Sequence, residues 1–217
     1  MSVVTAQIRG ILFDLDETLF SRDAAFWSWI EAEAASGEGT ARLDREMVAE
    51  LDARGRGDKL KLLDYLNDTL GWHETEQRRL ERFRTGLTGC ARLEEGIPAM
   101  LNRLGERHRL GLVTNGSGAT QRAKLERLQL EHFFDPIVIS EEAGFRKPDA
   151  RIFELAIAEW EVPSAAVLVV GDDPVADVQG ARDAGMQALR VGHHDGIGSI
   201  LMLEEWLQSA GQCATSA

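Results

Sequence analysis

Two runs of acids stand where carboxylates can do chemistry. In Asp14-Leu15-Asp16-Glu17-Thr18, and in Gly171-Asp172-Asp173 with Asp177 shortly after, like charges crowd the ends of apolar runs. Carboxylates gathered in a poorly solvated place repel strongly unless a cation sits among them. A hard divalent ion such as Mg2+ takes a few such oxygens, keeps some water and commonly works beside a phosphate. Helix capping is the bland alternative, since Asp is favoured at an N-cap after a strand. Two further stretches carry complementary groups. Thr114-Asn115-Gly116-Ser117 places small hydrogen-bonding residues at a helix start, where N–H groups and the helix dipole favour an anion, although a plain turn with a Ser cap reads the same. In Lys147-Pro148-Asp149 the proline suits a first helical position and leaves Lys147 at the helix mouth. Such a lysine is either surface charge or a neutraliser of both a phosphate and the acids.

Elements must exist to position these groups. Short aliphatic runs at Ile8–Phe13, Leu110–Thr114, Pro136–Ile139, Val167–Val170 and Met186–Val191 predict strands buried on both faces. Between the later ones, Gly96–His108, Gly118–Phe133, Asp149–Trp160 and Val175–Ala184 show helical spacing, so β-α-β units and a parallel α/β sheet are expected. The acids then fall at carboxyl ends of strands, where open parallel sheets bind ligands. The first gap breaks the rhythm. Asp23–Ala35, Leu43–Ala53, Lys59–Leu70 and Glu74–Leu87 look helical, with Gly37, Gly39, Gly55, Gly57 and Gly71 between them. Residues 22–92 are therefore expected to form a small helical domain with Phe26, Trp29, Leu51, Leu62, Leu66 and Leu80 inside, and residues 1–21 with 93–217 the α/β core.

Composition narrows the classes. At 217 residues and 44% hydrophobic the chain can bury a core, and its net charge of −12 disfavours a nucleic-acid polymer as partner. No run approaches the roughly 18 apolar residues of a membrane span, and Met1-Ser2-Val3-Val4 lacks a signal peptide's pattern, so a cytoplasmic location is expected. Cys90 and Cys213 show no metal or disulfide spacing and read as free thiols.

The four segments, in order, resemble the motifs of the haloacid dehalogenase superfamily of phosphohydrolases. The resemblance runs from about Ile8 to Val191 and implies a Rossmann-like core, with residues 22–92 as a helical cap of the first type that excludes solvent and selects substrates. It is strongest toward the branch acting on small phosphate monoesters: nucleotides, sugar phosphates, phosphoglycolate. The residues suit that chemistry. Asp14 is the expected nucleophile, forming an aspartyl-phosphate. Asp16, on the same face if the chain stays extended, is the expected general acid and base, a role worth ~10²- to 10⁴-fold. Asp14 and Asp172 would hold Mg2+, and the resemblance adds the Asp16 backbone carbonyl. Thr114, the Asn115 amide and Lys147 would hold phosphoryl oxygens. Asp177 is expected to orient Lys147 or a metal-bound water, Asp173 to do either or bind directly, and Thr18 and Gly116 to support the site.

Other readings stay open. A 2-haloacid dehalogenase expels halide without a proton donor, and its relatives typically lack the second aspartate, so Asp16 favours phosphate esters. A phosphotransferase, a receiver-like signalling module and a silent binding module are further alternatives; receivers are shorter and lack the insertion. Arg54, Arg56 and Lys59 are candidate substrate contacts or solvated loop residues, and Trp27 and Trp29 could stack on a base or sugar or build the helical core. His193-His194-Asp195 reads as surface. A monomer or homodimer fits equally.

Overall fold

The computed structural model describes residues 7–36, 43–192 and 196–214, with side chains as far as 210. Met1 to Val4, Gly37, Gly39, His193 to Asp195 and the Cys213 side chain thus lie outside the described residues. The chain divides into two compact units, Met1–Ser21 with Arg92–Ala217, and Arg22–Ala91. Arg92, expected in the insertion, groups with the first unit.

Strand β1 (Gly10–Phe13) opens the first unit. The second unit then follows as α1 (Arg22–Ser36), α2 (Arg45–Asp52), α3 (Lys59–Leu70) and α4 (Glu76–Cys90). Local signals place these helices. Asp44 and Asp58 cap α2 and α3 by accepting from the backbone N–H groups two and three residues on, and Gly71 ends α3 at φ 68°. Phe26, Trp29, Leu62 and Leu66 are buried as expected, and Leu51 is half-buried. Leu80 is not: it is 36% exposed. The inward face of α4 runs through Phe83 and Leu87, and Gly86 lets Trp29 approach so closely that an added Cβ would lie 2.1 Å from the indole nitrogen. Leu80, one turn before Phe83, falls at the edge of that face.

The first unit continues with α5 (Ile97–Gly105), β2 (Arg109–Thr114), α6 (Gly118–Leu128), β3 (Ile137–Ile139), α7 (Ser140–Ala143) and α8 (Ala150–Ile157). It ends with β4 (Val167–Gly171), a π-helical turn (Pro174–Gln179), α9 (Gly180–Asp183), β5 (Gln187–Arg190) and α10 (Leu203–Ala214). All four strand pairings are parallel and the order is β3-β2-β1-β4-β5, the α/β architecture expected. Every residue of β1 and β4 is buried, which explains the unbroken aliphatic runs. Leu12, Val113 and Val169 pack with Ile152, Phe153 and Trp160 on one side of the sheet, each fully buried aliphatic or aromatic side chain contributing roughly 1.5–3 kcal/mol.

Two expectations are corrected in the helices. The helix expected at Val175–Ala184 is split into the π-helical turn and α9. Pro148 is not at a first helical position, because Asp149 is the N-cap of α8, accepting from Arg151 N, and the helix begins at Ala150.

The register sets up the site. Phe13 lies opposite both Leu112 and Val170, so the chain leaves β1, β2 and β4 at nearly one level. Sequence order runs outward from β1 to β3 on one side and resumes at β4 on the other, so the reversal lies between β1 and β4. Asp14 and Asp172 stand just beyond those two ends.

Candidate active site

Asp14 follows the last residue of β1, and its N–H still donates to Val170 O at 2.9 Å, which fixes the backbone against β4. The residue is 7% exposed. The chain then turns sharply. Glu17 adopts φ 59° and donates its N–H to Phe20 O, so the extended geometry expected from Asp14 to Asp16 ends within three residues. Thr18, buried, directs its hydroxyl toward Asp14 Oδ2 at a long 3.5 Å.

Lys147 enters beneath Asp14. Its buried Nζ donates to Asp14 Oδ1 at 2.6 Å, to Asp177 Oδ1 at 2.7 Å and to Val113 O at 2.8 Å, using all three ammonium N–H groups. A phosphoryl oxygen must therefore displace or share one of these partners to reach Lys147. The Asn115 side chain clasps the Lys147 backbone, accepting from its N–H at 2.9 Å and donating to its carbonyl at 3.0 Å. That bridges β2 to the loop before α8 and commits the Asn115 side chain to structure.

Asp177, 2% exposed, also accepts from Asp173 N at 3.0 Å. Gly171 makes this possible, since a Cβ there would lie 2.2 Å from Asp177 Oδ2. The Asp173 side chain accepts from Val175 N and Ala176 N at 2.8 and 2.9 Å, capping the π-helical turn, as the bland reading of these acids supposed. The Asp172 carbonyl accepts from Arg190 Nε at 2.9 Å.

Among the described residues, oxygens of Asp14, Asp172 and Asp177 lie within 4.8 Å of one another. Asp14 and Asp177 share the single ammonium of Lys147, and Asp172 completes a cluster of three carboxylates. An all-oxygen donor set of this kind fits a hard divalent cation. Burial, which Lys147 only partly offsets and Asp177 and Asp16 aggravate, raises the Asp14 carboxyl to about 7. Burial alone would lower Lys147, but Asp14 and Asp177 outweigh it and raise it.

Thr114, at the end of β2, is 1% exposed. Beyond it Gly116, at φ 150°, would put a Cβ within 3.1 Å of the Gln121 side chain. Gly116 N donates to Ser140 Oγ at 3.0 Å and Gly118 N to Glu141 Oε2 at 2.8 Å, so two of the donors expected to await an anion at the start of α6 already have partners. Asp16 is turned from the three acids toward α6, where Lys124 and Gln121 bind its carboxylate. Neither was singled out from sequence. Both share the buried face of α6 with Leu125 and Leu128, and two polar residues on an apolar stripe were the signal available.

In the second unit, Trp29 is 2% exposed, packed edge-on against Phe83 and donating to Glu33 at 2.9 Å, so it builds the helical core. Trp27 is half-buried beneath the Arg45 guanidinium, 3.9 Å from its ring centroid. Arg54, Arg56 and Lys59 are exposed. Cys90 is a free thiol, and no helix among the described residues is long and apolar enough to cross a membrane.

A parallel sheet whose reversal point gathers carboxylates around a buried lysine defines a class of hydrolase, and comparison places the chain in it: it belongs to the haloacid dehalogenase-like hydrolases, whose family model matches residues 11–191. The pyrimidine 5'-nucleotidase YjjG of Escherichia coli is 30% identical over 205 residues, covering 85% of this chain and 86% of its own. The glyceraldehyde 3-phosphate phosphatase of Methanothermobacter thermautotrophicus is 29% identical, with 85% of each chain covered. The fold matches that of the magnesium-bound HAD-hydrolase YfnB of Bacillus subtilis at a TM-score of 0.75 and 22% identity, over 94% of this chain and all of that one.

Proposed function

We propose that this chain is a Mg2+-dependent phosphatase that hydrolyses small-molecule phosphate monoesters through a phosphorylated Asp14. One observation carries the reading: Asp14 is buried at a strand end, bound to Lys147 at 2.6 Å, with Asp172 and Asp177 close enough to share a cation with it. Relatives that hydrolyse a nucleotide and a triose phosphate, each matched over 85% of this chain, support it.

An Asp14 oxygen attacks phosphorus as the ester P–O bond breaks, and the departing alkoxide takes a proton from Asp16. Asp16 then accepts a proton from water, which attacks the same phosphorus; the bond to Asp14 breaks, releasing inorganic phosphate and restoring the carboxylate. Thr114 and the Asn115 amide would donate to phosphoryl oxygens, and Lys147 holds one oxygen of the Asp14 carboxylate and offsets its charge. Asp14 and Asp172, with the Asp16 carbonyl, would hold Mg2+, and the geometry adds Asp177 as a candidate. The bound ion supplies screening of the phosphoryl charge against the attacking carboxylate. Asp16 supplies what a dehalogenase does not need, and so favours ester hydrolysis over that alternative. Inserted directly after the Asp14 turn, Arg22–Ala91 is proposed as the cap that selects substrate.

Phosphate release from a panel of nucleotides, sugar phosphates, glyceraldehyde 3-phosphate and phosphoglycolate tests the reading. Mg2+-dependent turnover is expected in wild type and none in Asp14→Asn; equal release by both proteins would overturn it.

A further inference from the structure

The α6 pair reaches both Asp16 and Thr114. Lys124 Nζ donates to Asp16 Oδ1 at 2.7 Å, to Asp16 Oδ2 at 2.8 Å and to Gln121 Oε1 at 2.8 Å, filling its three donor positions. Gln121 Nε2 donates to Asp16 Oδ2 at 3.0 Å and to Thr114 Oγ1 at 2.7 Å. Gln121, Lys124 and Thr114 are 2%, 4% and 1% exposed. Both side chains come from one face of α6, three residues apart, and that helix follows directly from the Thr114 strand end.

The order of these bonds has a direction. With Oε1 held by an ammonium, the Gln121 amide must turn its NH2 toward Thr114 and Asp16. The opposite flip would set N–H groups against the ammonium and a carbonyl oxygen against a carboxylate. Thr114 Oγ1 thereby accepts a hydrogen bond, so its single hydroxyl hydrogen is free to donate elsewhere. Asp16, anchored through both oxygens, has its carboxylate plane fixed although the chain around it is a tight turn.

We infer that Lys124 and Gln121 are positioning residues that hold the Asp16 carboxylate for its proton transfers and orient the Thr114 hydroxyl as a donor to the phosphoryl group, an inference that rests on the phosphatase reading above. They touch neither the reacting atoms nor the three clustered acids; they act through Asp16 and Thr114.

p-Nitrophenyl phosphate separates the two half-reactions. Nitrophenolate leaves as a stabilised anion and needs no proton from Asp16, whereas the water that cleaves the aspartyl-phosphate must lose one. In rapid mixing, Lys124→Met is expected to show a burst of about one nitrophenolate per active site, then a kcat about 10- to 100-fold below wild type, with kcat/KM within about threefold. Lys124→Arg is expected to recover most of kcat. A parallel fall of kcat and kcat/KM without a burst, as a merely structural role would give, overturns the inference, as does a Lys124→Met protein within about twofold of wild type in both constants. If Lys124→Met does not fold, Gln121→Glu tests the same arrangement. Its carboxylate would draw the Thr114 O–H toward itself, so kcat/KM should fall about 10- to 100-fold; a value within about twofold of wild type overturns the role. Wild type releasing no more nitrophenolate than Asp14→Asn would sink the phosphatase reading itself. Active wild type without the predicted split sinks the positioning role alone.

Discussion

Arg22 and Asp52 in the helical unit form a closed pair, while Lys147 at the sheet end is shared by two acids. Both guanidinium NH2 groups of Arg22 bind the Asp52 carboxylate, each residue is about 5% exposed, and Asp52 Oδ2 also accepts from Gly55 N at 3.1 Å. One charge meets one charge, and the pair ties α1 to the left-handed turn at Ala53, Arg54 and Gly55. Lys147 is as deeply buried, yet serves Asp14 and Asp177 with Asp172 nearby. Both clusters are hydrogen-bonded, so saturation does not separate structure from function. The grouping of acids does: one carboxylate meets one guanidinium in the first, whereas the second brings oxygens of three carboxylates within 4.8 Å of one another, a donor set that fits a cation.

The comparison breaks first on chemistry. Asp14→Asn should lower turnover by about 10⁴-fold or more while leaving the fold intact, because it removes the attacking oxygen and lightens a crowded site. Phosphate release together with circular dichroism checks this. Activity retained within about tenfold would mean the cluster is as structural as the Arg22 pair.

The reverse test belongs to Arg22. Arg22→Met strands the buried Asp52 carboxylate and should cost about 3 kcal/mol in urea unfolding. The double variant Arg22→Met/Asp52→Leu should recover much of that, since removing both charges of a buried pair is often nearly neutral. A double variant as unstable as the single would show that the turn at Gly55, rather than the ion pair, carries the effect.

Stability against pH sharpens the contrast. Burial raises the Asp14 carboxyl from its ordinary value of 3.8 to about 7 in the folded protein. Between those values the folded state binds more protons than the unfolded state, so this group's contribution falls as pH rises and its penalty is complete above about 7. In metal-free protein, Asp14→Asn should therefore be more stable than wild type at high pH by on the order of 2 kcal/mol, an advantage fading as the wild-type carboxyl protonates. Excess Mg2+ should reverse the order by binding wild type more tightly. Thermal melts across pH with chelator and with Mg2+ check both signs; a wild type more stable than the variant at high pH without metal contradicts the burial cost assigned to the Asp14 carboxylate.

What could be read from sequence follows the same division. The strand-end groups Asp14, Thr114 and Asp172, and Lys147 in the loop before α8, could be located because residue type and order carry the information, and a parallel sheet leaves the first three Cα positions little choice. The duties within the cluster were harder to read. Asp173 and Asp177 differ by four positions in one acidic run, and only the π-helical turn decides that Asp173 caps while Asp177 tucks over Gly171. Gln121 and Lys124 share a helical stripe with Leu125 and Leu128, but only the fold brings that stripe against Asp16 and Thr114.

Leu80 is the same problem in reverse, an apolar residue whose helical spacing suggests a core that α4 does not give it. Phe83 and Leu87 occupy the inward face, with Trp29 seated against Gly86, and Leu80 keeps 36% of its surface. Leu80→Gln should accordingly change stability by no more than about 0.5 kcal/mol. Leu66→Ala, at a fully buried position of the same unit, should cost about 2–5 kcal/mol. Paired urea titrations decide between them, because equal losses would mean that Leu80 covers apolar surface in solution and that the inward face of α4 is wider than Phe83 and Leu87 alone.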